Sequence, residues 1–179
     1  MDIFAEQLIK KIPSKEDKIK KITILSGSVV LCGILIATAW AISFYYLFFA
    51  LALCIGVIIA AIFLINNMNI EYEYSVTNGE FDIDKIISQK SRKSFLSVKV
   101  SEFTEYGRYN DLVAEPDENL TFILACDGTG KGYWYADFRS GKYGKSRLIF
   151  SPDEKIRNAI KPYLSPTLKM KAIQDEYKD

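Results

Sequence analysis

The sequence predicts an α+β membrane protein, an amino-terminal transmembrane helical hairpin followed by an antiparallel β domain that ends in a helix. Three observations predict it. No Asp, Glu, Lys or Arg occurs between Ile22 and Ile70. From Ile70 onward apolar residues recur at every second position, the period of a half-buried strand. Near the end, Ser151-Pro152-Asp153-Glu154 combines an N-cap, a proline at the first helical position and a capping-box acid.

The net charge of +1 over 179 residues averages two unlike parts. At about 1.5 Å per helical residue the charge-free run would extend roughly 70 Å, against a hydrocarbon core about 30 Å thick. Two spans therefore fit where one does not: Thr23–Ile42 and Leu47–Asn66, reversing near Ser43–Tyr46. Each carries about ten strongly apolar side chains at roughly −0.3 to −0.6 kcal/mol apiece, with no charge opposing insertion. The rest of the chain is too small to cover two all-round apolar helices, which speaks against a buried hairpin. Ala37-Thr38-Ala39 imitates a signal-peptidase site, but a further span follows at once, so cleavage is not expected.

Lys10, Lys11, Lys15, Lys18, Lys20 and Lys21 precede the first span, and the reversal carries none. The positive-inside rule then places both termini in the cytoplasm. Trp40, Phe44, Tyr45 and Tyr46 fall where an outer aromatic belt belongs. Small residues recur every fourth position, Gly33, Ala37 and Ala41 on the first span and Ala52, Gly56 and Ala60 on the second, a spacing that lets helices approach closely. Hairpin packing, self-association and chance among many alanines all remain open for them. A pore or transporter is disfavoured, since intramembrane ionisable groups are absent.

Residues 1–21 read as an amphipathic lead-in: after Asp2, Ile3, Phe4, Leu8 and Ile12 oppose Glu6, Gln7, Lys10 and Lys11, and Pro13 ends the pattern. Such a helix would lie on the inner leaflet or pack on the cytoplasmic domain. Ser14 with Asp17 resembles a capping pair that opens a second helix running into the first span.

The hairpin occupies residues 22–69 and the β domain residues 70–166. Ile70, Tyr72, Tyr74 and Val76 form a first strand, Asn78-Gly79 a hairpin turn, and Phe81, Ile83 and Ile86 the return. Ser88–Ser91 turns the chain into a third strand through Phe95, Val98 and Val100. Phe103–Asn119 is less regular and includes a loop through Pro116. Further strands are expected at Leu120–Cys126, Tyr133–Phe138 and Ser146–Phe150. In the helix after Ser151, Ile156, Ala159 and Ile160 form the apolar face and Pro162 or Pro166 the stop. Residues 167–179 are expected as a charged, frayed tail.

Six or seven antiparallel strands closed by one helix is the order of a pleckstrin-homology-like (PH-like) sandwich or barrel. Two apolar spans, then Glu71-Tyr72-Glu73-Tyr74, Asn78-Gly79-Glu80, Ile83-Asp84-Lys85-Ile86 and Arg92-Lys93, resemble small two-pass membrane proteins of clostridial-type bacteria. That family carries a domain of unknown function and is similar to bacterial PH-like membrane proteins, some linked to bacteriocin immunity or envelope stress. The resemblance covers nearly the whole chain and implies topology but no chemistry.

Lys85, Lys90, Arg92 and Lys93 gather at one turn, where four cations near an anionic leaflet would contribute about 1 kcal/mol each. They are candidates for headgroup contact, with Asp82 and Asp84 close by in opposition. Tyr133, Trp134 and Tyr135 put aromatics on both faces of one strand, so one face is a candidate partner surface. Gly144-Lys145-Ser146 and Gly128-Thr129-Gly130-Lys131 imitate phosphate loops, but the first lacks its leading glycine and following helix, and the second its hydroxyl. Both read as turns.

No histidine occurs, which removes the commonest general acid–base and most zinc sites. Cys32, Cys54 and Cys126 form no CxxC and no even framework. After Ile70 the eighteen acidic and seventeen basic residues nearly balance, unlike a nucleic-acid-binding face. The expectation is a non-catalytic, membrane-anchored interaction module of the cell membrane, without cofactor or metal. Its partners would be the bilayer and a protein or its own copies. The alternatives are an immunity or envelope-stress protein, in which the hairpin itself acts, and an anionic-lipid sensor.

Overall fold

Phe4–Lys10 is a strand, β1, and not the amphipathic helix that its Phe4, Leu8 and Ile12 spacing suggests. It pairs antiparallel over its whole length with β2 (Ile70–Thr77), from Phe4 opposite Thr77 to Lys10 opposite Glu71. Ala5, Gln7 and Ile9 face inward while Phe4 and Leu8 are exposed. The inward Gln7 is polar, which masks the period of two. Its amide nitrogen donates to the Ser151 carbonyl (3.2 Å) and its amide oxygen accepts from the Asp153 N–H (2.8 Å).

The computed structural model describes residues 3–110, 120–141 and 143–177. Asp2, Pro116 and Asn119, and the last two residues of the expected tail, lie outside them. The chain divides into two units, residues 13–69 and, on either side of it in sequence, residues 1–12 with 70–179. Residues 1–12 of the expected lead-in and the β domain are therefore one body, residues 13–21 go with the hairpin, and the hairpin is an insertion between two neighbouring strands.

In the inserted unit, α1 (Lys15–Ile42) opens on the expected capping box, the Ser14 hydroxyl accepting from Asp17 N–H and the Asp17 carboxylate from Ser14 N–H. A 3-10 turn at Phe44–Tyr46 leads to α2 (Leu47–Asn67). Both helices are long and apolar enough to cross a membrane. Their shared face is Ile24, Ser28, Cys32, Leu35 and Ala39 against Leu47, Ala50, Cys54, Val57, Ala61 and Ile65, all buried or half-buried. The alternation of three- and four-residue steps is that of helices meeting at a shallow angle. Midway, each cysteine thiol donates to the other's carbonyl, at 4.0 and 3.8 Å.

The second unit holds two four-stranded sheets. One has the order β1-β2-β3-β4, with β3 at Glu80–Ile87 and β4 at Ser91–Lys99, all antiparallel. Asn78 and Gly79 take φ of 48° and 87° in the expected turn. Gly79 is also pressed by Tyr163, whose ring would lie 2.6 Å from any Cβ. The β3–β4 register shifts at Ile83/Asp84, leaving Phe95 unmatched; its ring lies 5.9 Å from that of Tyr72.

The other sheet has the order β5-β7-β8-β6, from β5 (Glu105–Arg108), β6 (Thr121–Ala125), β7 (Trp134–Ser140) and β8 (Gly144–Phe150). Here β8 lies between β7 and β6, and β6 runs parallel to it, a departure from a purely antiparallel domain. Tyr74, Val76, Phe81 and Ile83 meet Tyr106, Phe138, Leu148 and Phe150 in the shared core. The Tyr74 hydroxyl bonds the Ala125 carbonyl and accepts from Ser151 N–H, joining the sheets through a buried polar link. Burial lifts this phenol above the range in which it ionises.

Helix α3 (Glu154–Ile160) starts two residues later than Ser151 suggests, because Asp153 accepts from Ile156 N–H and is the cap. Ile156, Ala159 and Ile160 are its buried face, as the spacing predicts. The expected frayed tail is instead α4 (Pro166–Glu176), capped by Ser165 and anchored by buried Leu168 and Ala172. Pro166 starts this helix, at the first helical position, where its missing N–H costs nothing.

Candidate functional site

The four basic residues of the β3–β4 turn do not form one cluster. Lys85 and Lys93 are directly opposite across the ladder. They project to the side that carries Phe81 and Ile83, and among the described residues neither has an ion-pair partner. Arg92 projects to the other side, where it pairs with Glu73 and lies 4.0 Å from Asp84. A hydrogen bond with Glu6, then burial, raise the Glu73 carboxyl above its usual range although Arg92 draws it down. Lys90 is exposed in the turn, where Ser88 and Gln89 take positive φ.

Of the three aromatics Tyr133, Trp134 and Tyr135, two are buried. Trp134, 4 % exposed, enters the core beside Tyr106, ring centroids 5.2 Å apart. Tyr135, 1 % exposed, is on the opposite side of the sheet, its ring flanked by the Arg147 guanidinium at 5.0 Å and the Lys171 ammonium at 5.4 Å. Arg147 is fixed by a two-pronged pair with Asp137 (2.7 and 2.6 Å). The Tyr135 hydroxyl donates to Glu105 (3.0 Å) and accepts from Lys171 (2.8 Å). Only Tyr133 is half-buried, accepting from Gly130 N–H (2.7 Å). Trp134 and Tyr135 of the expected partner surface are thus covered, Tyr135 in part by Lys171 of α4, while Tyr133 stays partly exposed.

Gly33, Ala37, Ala41, Ala52, Gly56 and Ala60 are all exposed on α1 and α2. The helices meet on the adjacent face instead, and nothing lies within 4 Å of where a Cβ would stand on Gly33 or Gly56. In a sequence apolar all round, close-packing residues are available on more than one face.

A further cleft lies where β5, α3 and α4 converge. Its walls include Arg108, Trp134, Arg157, Lys161, Asp175 and Glu176, around a cavity of about 280 Å³. The Arg157 guanidinium lies over the Trp134 ring (5.5 Å) and donates to Glu176 (3.1 Å), which also accepts from Lys161 (2.6 Å). Partial desolvation pushes the Glu176 carboxyl up, but Lys161 and Arg157 together hold it below its ordinary range. Asp175 accepts from the Arg108 backbone N–H (3.1 Å). Beneath, Tyr106 is fully buried and its hydroxyl has no hydrogen-bond partner among the described residues.

Among the described residues no group of three or more Cys, Asp or Glu is placed to hold a metal ion. The two phosphate-loop imitations are turns: Asp127 accepts from Thr129 N–H (2.9 Å), and Gly144 opens β8.

The model of a family described as "Bacterial PH-like domain (DUF6106)" matches residues 1–170. The chain belongs to this PH-like family. Neither a curated protein nor a solved structure matches it. The PH-like match includes β1, in agreement with the strand's place in the sheet, and it includes Arg108, Trp134, Arg157 and Lys161 but not Asp175 or Glu176. Sequence reading passed over this cleft because its residues are spread over some seventy positions. Two local signals point to it: Arg157 and Lys161 share a face at four-residue spacing, and Ser165-Pro166 opens a helix that brings acids back to them.

Proposed function

We propose that this PH-like protein is a non-catalytic interaction module, anchored in the cell membrane by α1 and α2 and presenting its two-sheet domain to the cytoplasm. The single observation that carries the reading is the insertion of both apolar helices between β1 and β2, adjacent strands of one sheet. Only Lys11–Ser14 on one side and Met68-Asn69 on the other separate strand from helix, so the domain is tied to its anchor twice and closely. Lys15, Lys18, Lys20 and Lys21 at the start of α1 favour the cytoplasmic side for that end. The absence of histidine supports a role other than acid–base catalysis.

The experiment is chemical crosslinking in the native cell followed by mass spectrometry. The expected result is a reproducible protein neighbour, or a second copy, linked through lysines of the β domain. Recovery of lipids alone would overturn the partner reading.

A second reading, contact with anionic lipid, is favoured by the Lys85–Lys93 pair. Like charges directly opposite on a sheet repel, and a headgroup phosphate would relieve that. The turn between them lies at the same end of the sheet as Lys10 and Glu71, where the chain leaves for the hairpin. Lys85→Ala with Lys93→Ala should lower adsorption of the detergent-solubilised protein to phosphatidylglycerol-containing surfaces, at low salt. Lys131→Ala, on another loop, should leave it unchanged.

A further inference from the structure

We propose that the cleft of Gly107, Arg108, Trp134, Arg157 and Lys161 is a binding site for an acidic peptide segment of a partner protein, filled in this chain by its own Asp175-Glu176. The inference rests on the interaction-module reading and names the chemistry that such a partner presents.

Two successive carboxylates go to two separate receptors. Asp175 sits over Gly107, where a Cβ would come within 2.7 Å of its carboxylate oxygen, and it takes the Arg108 N–H. Glu176 spans Arg157 and Lys161. Any side chain at position 107 would obstruct the first receptor.

The receptors are held without the acids. Arg157 is fixed over Trp134 and donates to the Pro152 carbonyl (3.0 Å). Lys161 also donates to Asn158 (3.0 Å), and β5 is paired to β7. Such preorganisation lowers the cost of binding.

The occupant, by contrast, carries no buried apolar side chain. The buried apolar anchors of α4 end at Ala172, and from Ile173 to Tyr177 only Asp175 and Glu176 are not exposed. Tyr177 is 86 % exposed. Release of that last turn would take from Arg157 and Lys161 the carboxylate they now share. The space beside the acids, about 280 Å³, takes side chains larger than the two now present. The site as it stands takes two carboxylates from successive residues, one at the Gly107–Arg108 backbone and one between Arg157 and Lys161, which is the pattern of an acidic peptide.

The test uses the full chain in detergent and a fluorescent peptide of the sequence Ile-Gln-Asp-Glu-Tyr, with its Asn-Gln counterpart as control. Asp175→Asn with Glu176→Gln vacates the site. A tethered segment competes at an effective concentration on the order of millimolar, so the vacated protein should bind the acidic peptide at least about tenfold more tightly than the unaltered one. Adding Lys161→Glu should abolish that gain, and the neutral peptide should not bind.

Equal weak binding to the vacated and unaltered proteins would overturn the proposal, leaving the acid pair as a helix-end clamp. Displacement of the peptide by inorganic phosphate at equal concentration would overturn the peptide assignment. If the double variant does not fold, Glu176→Gln alone carries the same comparison. Crosslinking can return a neighbour whatever happens at this cleft, so the two readings fail separately.

Discussion

Gln7 shows how one residue can hide an element. Between Ala5 and Ile9 it breaks what would be an apolar face of period two, and the eye turns to the helical spacing of Phe4, Leu8 and Ile12 instead. It faces inward because its amide satisfies both Ser151 O and Asp153 N–H. Gln7→Leu should keep the shape but leave those two groups unpaired, at a cost of about 1–3 kcal/mol in detergent-phase denaturation. Gln7→Glu should cost more. Glu176 makes a pH prediction. Lys161 and Arg157 face it, with Glu154 on the cleft wall, and its carboxyl is held below the ordinary range. A depressed acid stabilises above its unfolded pKa, and that contribution is lost as pH falls through the lowered folded value. Amide hydrogens of Ile173–Tyr177 should therefore exchange faster, after correction for intrinsic rates, once pH drops below the usual glutamate range. Unchanged protection there would sink the clamp.

At the scale of elements, the two long helices were the most legible part. A charge-free run bounded by lysines and by Glu71 leaves few choices, and the expected Thr23–Ile42 and Leu47–Asn66 agree closely with the apolar lengths of α1 and α2. Which face they share was not legible, since periodicity needs contrast and an all-apolar helix has none. The strands from Ile70 to Val98 and the Asn78-Gly79 turn were legible for the opposite reason, their polar and apolar positions alternating cleanly. The cover of Tyr135 was not, because it depends on α4, whose first turns carry only Leu168 and Ala172 as buried apolar anchors among lysines. The shared face gives a direct check. Mild oxidation should crosslink Cys32 to Cys54 within one chain, visible as a peptide-mass shift, and Cys32→Ser should abolish it. Crosslinking instead between cysteines placed at Gly33 and Gly56 would mean that the helices meet on the other face.

For the whole molecule, the decisive point is that residues 1–12 and 70–179 form one body. The amino-terminal strand is an edge of the sheet, and Ile9 alone, buried there, is worth up to roughly 1.5–3 kcal/mol. Deleting residues 1–12 should therefore destabilise the β domain and open β2 to proteases, as limited digestion would record. A detachable lead-in would leave the domain intact. The PH-like architecture was legible from the strand order and the final helix, but its first strand was separated from the rest by the hairpin, and no local pattern announces a partner so far along the chain.

That separation bears on how the protein is made. The strand that β1 pairs with follows it only after about sixty further residues, a long-range closure of the kind that slows folding. Until α1 and α2 have both been laid down, the amino end is an unmatched ribbon with exposed Phe4 and Leu8. The first strand cannot join its sheet until both helices are finished and β2 has followed them, so a defect in either helix should surface first as a folding failure of the β domain.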